Sequence, residues 1–275
     1  MGNPYPHLQR FISHAGRIDW SPADFEGAVI PPRLLPAMAA ASQLEWETRV
    51  ELLKVRQAGL LKDYDLATFF PLWISEEAEH SRALRFIANG QGARLGEAKG
   101  HRGFAEALRN RMASVGAFSS RILPSNDVLF LGIGAGAEHM TRTMYRQMAR
   151  QVEHDGVKRF LFRVAAQEGR HLTFFKEAAV ARKPPSRTEK SLLRSSLSFG
   201  WRPVGIDRLG VQAWFEVFWP LMEDDDTQRE LRRMDDILND IPLFSGLGLM
   251  DQFLGANKYR LNNAKGYCSQ VSIED

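Results

Sequence analysis

Between Leu34 and Arg182, apolar residues recur every three or four positions, the period of a helix with one buried face. The spacing predicts helices over about 33–58, 66–89, 100–122, 126–153 and 156–182. Asp65 and Asn126 stand where N-caps are expected, and Gly90 where the second helix should stop. Residues 1–33 carry Pro4, Pro6, Pro22, Pro31 and Pro32 and read as an irregular arm. Lys183, Pro184, Pro185 and Ser186 close the helical block. Residues 183–275 read as a C-terminal extension packed on the core, with helical patches over 207–222 and 226–240 and a Gly-rich apolar stretch from Pro242 to Gly255. No run alternates with period two for long enough to form a strand. The expected fold is all-α: an antiparallel four-helix core over 34–182 with additional C-terminal helices.

Composition narrows the classes without choosing among them. The 275 residues are 44% hydrophobic and 25% charged, as in an ordinary globular protein. No uninterrupted apolar stretch has membrane-helix length, and Met1 to Arg17 has no signal-peptide core, so no membrane span is expected. The single cysteine, Cys268, excludes an internal disulfide framework and suits a reducing cytoplasm. A formal charge of +3 gives no support to nucleic-acid binding but permits local basic patches.

The chemistry lies in two Glu-x-x-His motifs, Glu77 with His80 and Glu168 with His171. Positions i and i+3 share one helix face, so a carboxylate and an imidazole can reach one metal. Phe70, Trp73, Leu84 and Ile87 share the first stripe, and Phe160, Leu161, Val164, Phe175 and Ala178 the second. Both pairs therefore point into an apolar interior, where carboxylates are costly unless paired or metal-bound. Two buried Glu–His hydrogen-bonded pairs would be the plain alternative. A dinuclear site needs one more glutamate from each of the other two helices. Glu138 lies on the apolar face of its helix, 30 residues before Glu168. In the first helix Leu34, Leu35, Met38, Leu52 and Leu53 define the apolar side, and of Glu45, Glu47 and Glu51 only Glu45 lies on it. Arg49 falls on the same inner face. Four glutamates balance two divalent ions, and an oxygen-rich set with two imidazoles suits iron or manganese. Glu45, Glu77 and His80 are expected to serve mainly one ion, and Glu138, Glu168 and His171 the other, with some glutamates bridging. Glu76 and Gln167 are the candidates for orienting the histidines, and Arg170 for pairing with a carboxylate.

These residues resemble the soluble acyl-carrier-protein desaturases of the ferritin-like di-iron carboxylate superfamily. The run from Trp73 to His80 is similar to that family's W-x-x-E-E-x-x-H motif, the run from Ala165 to His171 to its A-A-D-E-x-R-H motif, and Glu138 with Thr141 to its E-x-x-T. The resemblance covers about residues 34–182. It implies a ferritin-like bundle, two iron ions or an Mn/Fe pair, and O2-dependent desaturation of a fatty acyl chain. It further implies a homodimer, a ferredoxin-type electron donor, an acyl carrier protein as partner, and Thr141 as a proton donor in the oxygen chemistry. Two departures stand out: the family's aspartate is Gln167 here, and the helix of Glu45 lacks the E-E/D-x-L-P sequence.

Two other enzymatic readings and one storage reading compete. Hydroxylation of a small metabolite is one; the arylamine N-oxygenase branch carries a histidine where this chain has Val164. Iron storage with ferroxidase activity is another, against which stand the length of the chain and the aromatic patch of Trp214, Phe215, Phe218 and Trp219. A ribonucleotide-reductase subunit would need a radical-forming residue, for which Tyr145 is nearest in sequence, although a core tyrosine is the commoner case. Arg142, Arg146 and Arg150 form a ridge at i, i+4 and i+8 that reads as a solvated face or as a docking strip for an acidic carrier. Arg229, Arg232 and Arg233, offset by Asp224, Asp225, Asp226, Asp235 and Asp236, are a rival patch. His139 and His154 point off the metal face, and His7, His14 and His101 carry no motif.

Overall fold

The computed structural model describes residues 5–57, 59–92 and 126–259, apart from the side chains of 51–54 and 57. The expected helix over 100–122, His101 and Cys268 lie outside the described residues. Everything regular within them is helical: α1 (Pro6–Ile12), α2 (Leu35–Gln57), α3 (Tyr64–Gly90), α4 (Asn126–Gln151), α5 (Asp155–Ala181), α6 (Arg187–Gly200), α7 (Ile206–Leu209), α8 (Val211–Met222), α9 (Asp225–Asn239) and α10 (Leu249–Ala256). No described helix is long and apolar enough to cross a membrane.

The four long helices form two hairpins. Short turns join α2 to α3 and α4 to α5, so each pair runs back along itself. Ser42 and Ser81 pin the first hairpin: each hydroxyl donates to the other residue's carbonyl, at 3.0 and 2.6 Å, in the buried interior. The hairpins close on an apolar filling that includes Met38, Phe69, Phe70, Leu131, Leu161 and Phe175. At one end Phe69 stacks on Phe174, with ring centres 3.7 Å apart.

Both flanking segments complete this core. Instead of an irregular arm throughout, residues 1–33 contain α1, which starts with Pro6 in its first turn, where the missing N–H costs nothing. Phe11 of α1 packs edge-on against Phe69. The expected cap Asp65 is displaced: Asp63 is the N-cap of α3, and Asp65 sits buried in the first turn. There it accepts from Arg182 at 3.1 Å and pairs with the buried His7 at 3.0 Å. These links tie α1, α3 and the end of α5 together. On the other side α9 packs on α4, where glycines make room. Gly136 faces Met234 of α9, and a Cβ on Gly132 would stand 2.1 Å from the ring of Phe244, beyond the end of α9.

The extension holds five described helices, α6 to α10, where the periodicity suggested two. One missed helix is α6, whose N-terminus carries a capping box: Ser186 accepts from the Glu189 N–H, and Glu189 accepts from the Ser186 N–H. The patch expected over 207–222 is broken at Gly210, whose φ of +79° suits glycine and separates α7 from α8. The Gly-rich stretch contains α10.

Candidate metal centre

Six side chains from the four long helices converge at mid-bundle: Glu45 from α2, Glu77 and His80 from α3, Glu138 from α4, and Glu168 and His171 from α5. All are buried. Glu45, Glu77, His80 and Glu168 place ligand atoms within 4.8 Å of one another, as do Glu77, Glu138, Glu168 and His171. Glu77 and Glu168 belong to both groups, so they are the carboxylates placed to bridge two ions. Glu45 is indeed the α2 residue that enters. Glu47 stays near the surface and pairs with Arg208, and the Glu51 side chain lies outside the description. Arg49, expected on the inner face, is exposed, its guanidinium 3.6 Å from the Trp46 ring centre. Its stem turns to a neighbouring aromatic instead of entering a site already crowded with donors.

Hydrogen bonds behind the histidines decide which ring nitrogen faces the centre. Gln167 Nε2 donates to the Gly16 carbonyl at 2.5 Å. A carbonyl only accepts, so Gln167 Oε1 is the atom 2.6 Å from His80 Nε2, and that nitrogen carries the proton. On the other half Glu76 accepts from the Gly16 N–H at 2.6 Å, from Arg170 at 3.0 Å and from His171 Nε2 at 2.7 Å. The partners cross over: Glu76, beside the first motif, serves the second histidine, and Gln167, beside the second motif, serves the first.

Both Nδ1 atoms are thereby aimed at carboxylates. His80 Nδ1 lies 3.2 Å from Glu168 and 3.5 Å from Glu77. His171 Nδ1 lies 3.0 Å from Glu77 and 3.3 Å from Glu138. Neither Nδ1, nor Glu77 Oε1, nor Glu168 Oε1 has a hydrogen-bond partner, although all are fully buried. Lone pairs facing lone pairs in an apolar interior require cations between them, either protons or metal. Four carboxylates and two imidazoles, with two carboxylates shared by both groups, fit a site for divalent metal ions.

Protons alone give a definite charge pattern. Burial and the neighbouring Glu77 push Glu45 well above the ordinary carboxylate range, and burial and Glu168 do the same to Glu138. Burial also opposes ionisation of Glu77, but bonds from Glu45, His171 and His80 draw it down to about 2. Glu168 is likewise held well below its usual value, against its burial, by Glu138, His171 and His80. Burial disfavours both imidazoliums, yet Glu168 and Glu77 carry His80 up to about 10, and Glu138 and Glu168 raise His171 well above normal. Two imidazoliums thus offset two carboxylates, and the other two carboxyls keep their protons.

A narrow apolar cavity of about 30 Å3 lies beside Glu45. Its walls include Leu44, Met140, Met144, Met148 and, from α8, Trp214 and Phe218. Its polar groups are Glu45, Thr141 and Tyr145. The Thr141 hydroxyl lies 3.3 Å from Glu168 Oε2, within reach of both the cavity and the centre. Tyr145, expected as a core tyrosine, is buried but donates to Glu45 Oε1 and so belongs to the site.

The remaining expected residues lie elsewhere. Arg142 and Arg146 are half-buried and only Arg150 is exposed, so the ridge is not uniformly open to a partner. His139 bonds the Glu230 carbonyl at 2.6 Å, and His154 caps α5; both are off the metal face, as expected. No protein-family model matches the chain, and neither do curated proteins or solved structures.

Proposed function

We propose that this chain is a ferritin-like di-iron protein that uses dioxygen to oxidise an apolar substrate, with desaturation of an acyl chain as the specific reaction. The observation that carries the reading is the apolar cavity whose polar groups belong to the centre itself. Iron storage would call for a polar route for hydrated ions, and the wall of Leu44, Met140, Met144, Met148, Trp214 and Phe218 offers none.

Glu45, Glu77, His80, Glu138, Glu168 and His171 would hold the two ions, which supply the electrons and the Lewis acidity for dioxygen reduction. The protein's own residues do the rest. Glu76 and Gln167 hold each imidazole with Nδ1 inward. The Tyr145 hydroxyl fixes the rotamer of Glu45. Thr141 holds a proton at the boundary between cavity and centre, where oxygen reduction consumes one. The methionine-rich wall excludes water and adapts to an apolar chain. The reading brings with it a second copy of the chain, a ferredoxin-type electron donor and an acyl carrier protein as partners.

The test loads the protein with ferrous ion and supplies dioxygen, a chemical reductant and acyl thioesters of several lengths. Loss of two hydrogens from the acyl chain by mass spectrometry is the expected result. Gain of one oxygen atom instead would make it a hydroxylase. Iron accumulating far beyond two ions per chain, with every acyl chain intact, would replace the reading with storage. His80→Ala and His171→Ala should each abolish most iron loading, and normal iron in both would remove the centre altogether.

A further inference from the structure

Two of the groups that orient the histidines meet at one backbone residue of the N-terminal arm. The Gly16 N–H donates to Glu76 Oε1 at 2.6 Å, and Glu76 Oε2 takes the Nε2 proton of His171 at 2.7 Å. The Gly16 carbonyl accepts from Gln167 Nε2 at 2.5 Å, and Gln167 Oε1 takes the Nε2 proton of His80 at 2.6 Å. One peptide residue is therefore two hydrogen bonds from each imidazole. Glu76 and Gln167 are buried, whereas Gly16 is exposed.

We propose that Gly16 is a clasp: the docked arm positions both histidines and thereby sets the affinity of the centre for its ions. The proposal rests on the di-iron reading above, and it makes Gly16 a positioning residue, since it touches neither metal nor substrate.

The clasp accounts for glutamine at 167. The side chain there must accept from His80 and donate to the Gly16 carbonyl at the same time. A carboxylate can do only the first, and its second oxygen would face the carbonyl oxygen. An amide does both, in one orientation. It also accounts for how the arm is anchored. His7 is bonded to Asp65, Phe11 lies 6.0 Å from the His171 ring, and Trp20 donates to Glu79 at 2.6 Å. These contacts on both sides of Gly16 hold its peptide groups against α3 and α5. Partners behind metal-bound histidines typically change metal affinity by about tenfold to a hundredfold when removed.

Gly16 lends itself to a clean test. Its φ is not in the left-handed region, and a Cβ there would meet nothing within 4 Å, so alanine fits and keeps both bonds. Proline at 16 removes the N–H and spares the carbonyl. The probe is Mn2+, titrated anaerobically by calorimetry and electron paramagnetic resonance into the full-length chain, with circular dichroism and a thermal melt as fold controls. The wild type should bind two ions whose spins couple through the bridging carboxylates. Gly16→Pro should weaken the ion on His171 by about tenfold or more, giving the signal of isolated Mn2+ at half loading. Gly16→Ala should restore wild-type binding. Gln167→Glu, nearly isosteric, should weaken the ion on His80 to a similar degree, and it decides the question alone should Gly16→Pro fail to fold. Wild-type affinity in folded Gly16→Pro, equal weakening in Gly16→Ala and Gly16→Pro, or wild-type affinity in Gln167→Glu would each overturn the clasp. A wild-type chain that binds no Mn2+ and no ferrous ion would instead overturn the centre, and the clasp with it.

Discussion

Filling the centre with two divalent ions at mildly acidic pH should expel about four protons, one each from Glu45, Glu138, His80 and His171. The count comes from the directions of the shifts. Glu45 and Glu138 are raised and hold their protons, Glu77 and Glu168 are lowered and have none to lose, and both histidines are raised and protonated. A proton on each Nδ1 occupies the position that a metal takes, because Nε2 is committed to Gln167 or Glu76. With four protons displaced, the product of the two binding constants falls by about four powers of ten per unit drop in pH, or about 5 kcal/mol. Release should fall toward about two protons once the pH passes the raised carboxyl values. The assay is calorimetric titration of Mn2+ in buffers of different ionisation enthalpy, where the slope of apparent heat against buffer enthalpy counts the protons. A slope near zero at pH 6 would refute the charge pattern, and with it the claim that the bare nitrogens point at the carboxylates.

The same shifts predict how the stripped protein responds to alkali. His80 is raised to about 10 from 6.5, so its contribution is complete below 6.5 and vanishes as the pH climbs through about 10. Chelation should therefore lower Tm more at pH 9 than at pH 6, which calorimetric scans with and without chelator would measure. Gly132→Ala should destabilise by about 1–3 kcal/mol, because its Cβ would fall 2.1 Å from the buried Phe244 ring; a denaturant midpoint unchanged from wild type would contradict the close packing of α4. Asp65→Ala should cost about 3 kcal/mol by leaving His7 without its partner and Arg182 short of one. Although burial opposes it, His7 and Arg182 hold the Asp65 carboxyl down to about 2 from 3.8, so this contribution is present above 3.8 and lost as the pH falls toward 2. The stability gap between variant and wild type, measured by urea unfolding, should accordingly narrow in acid.

Much of the centre was legible because it is written in short-range geometry. Residues three or four apart share a helix face whatever else the chain does, so Glu77 with His80 and Glu168 with His171 declare their pairing locally. The same rule separated Glu45 from Glu47, which lies beside Arg208 near the surface. The capping box at Ser186 and Glu189 is a local signal for α6 that periodicity does not use, and the absence of a long apolar stripe behind it is why that helix was passed over. Its buried anchors are few, Leu193 and Leu197 among them.

What periodicity leaves undetermined is which side chains meet across elements. Gly16 lies 60 positions from Glu76 and 151 from Gln167, and Tyr145 lies 100 from Glu45. No local spacing relates such residues, since only the packing of α1, α3 and α5, and of α2 against α4, brings them within bonding distance. The crossed service of the histidines, Glu76 to His171 and Gln167 to His80, has the same origin. The displaced cap is another instance, since Asp65 leaves the helix end for His7 and Arg182, which lie 58 residues before it and 117 after it. The sequence alone therefore determined the four long helices and which glutamates and histidines turn inward as candidate ligands, because both follow from a 3.6-residue period. Tertiary structure decided what holds those ligands in place, because a hydrogen bond depends on distance in space and is indifferent to separation along the chain.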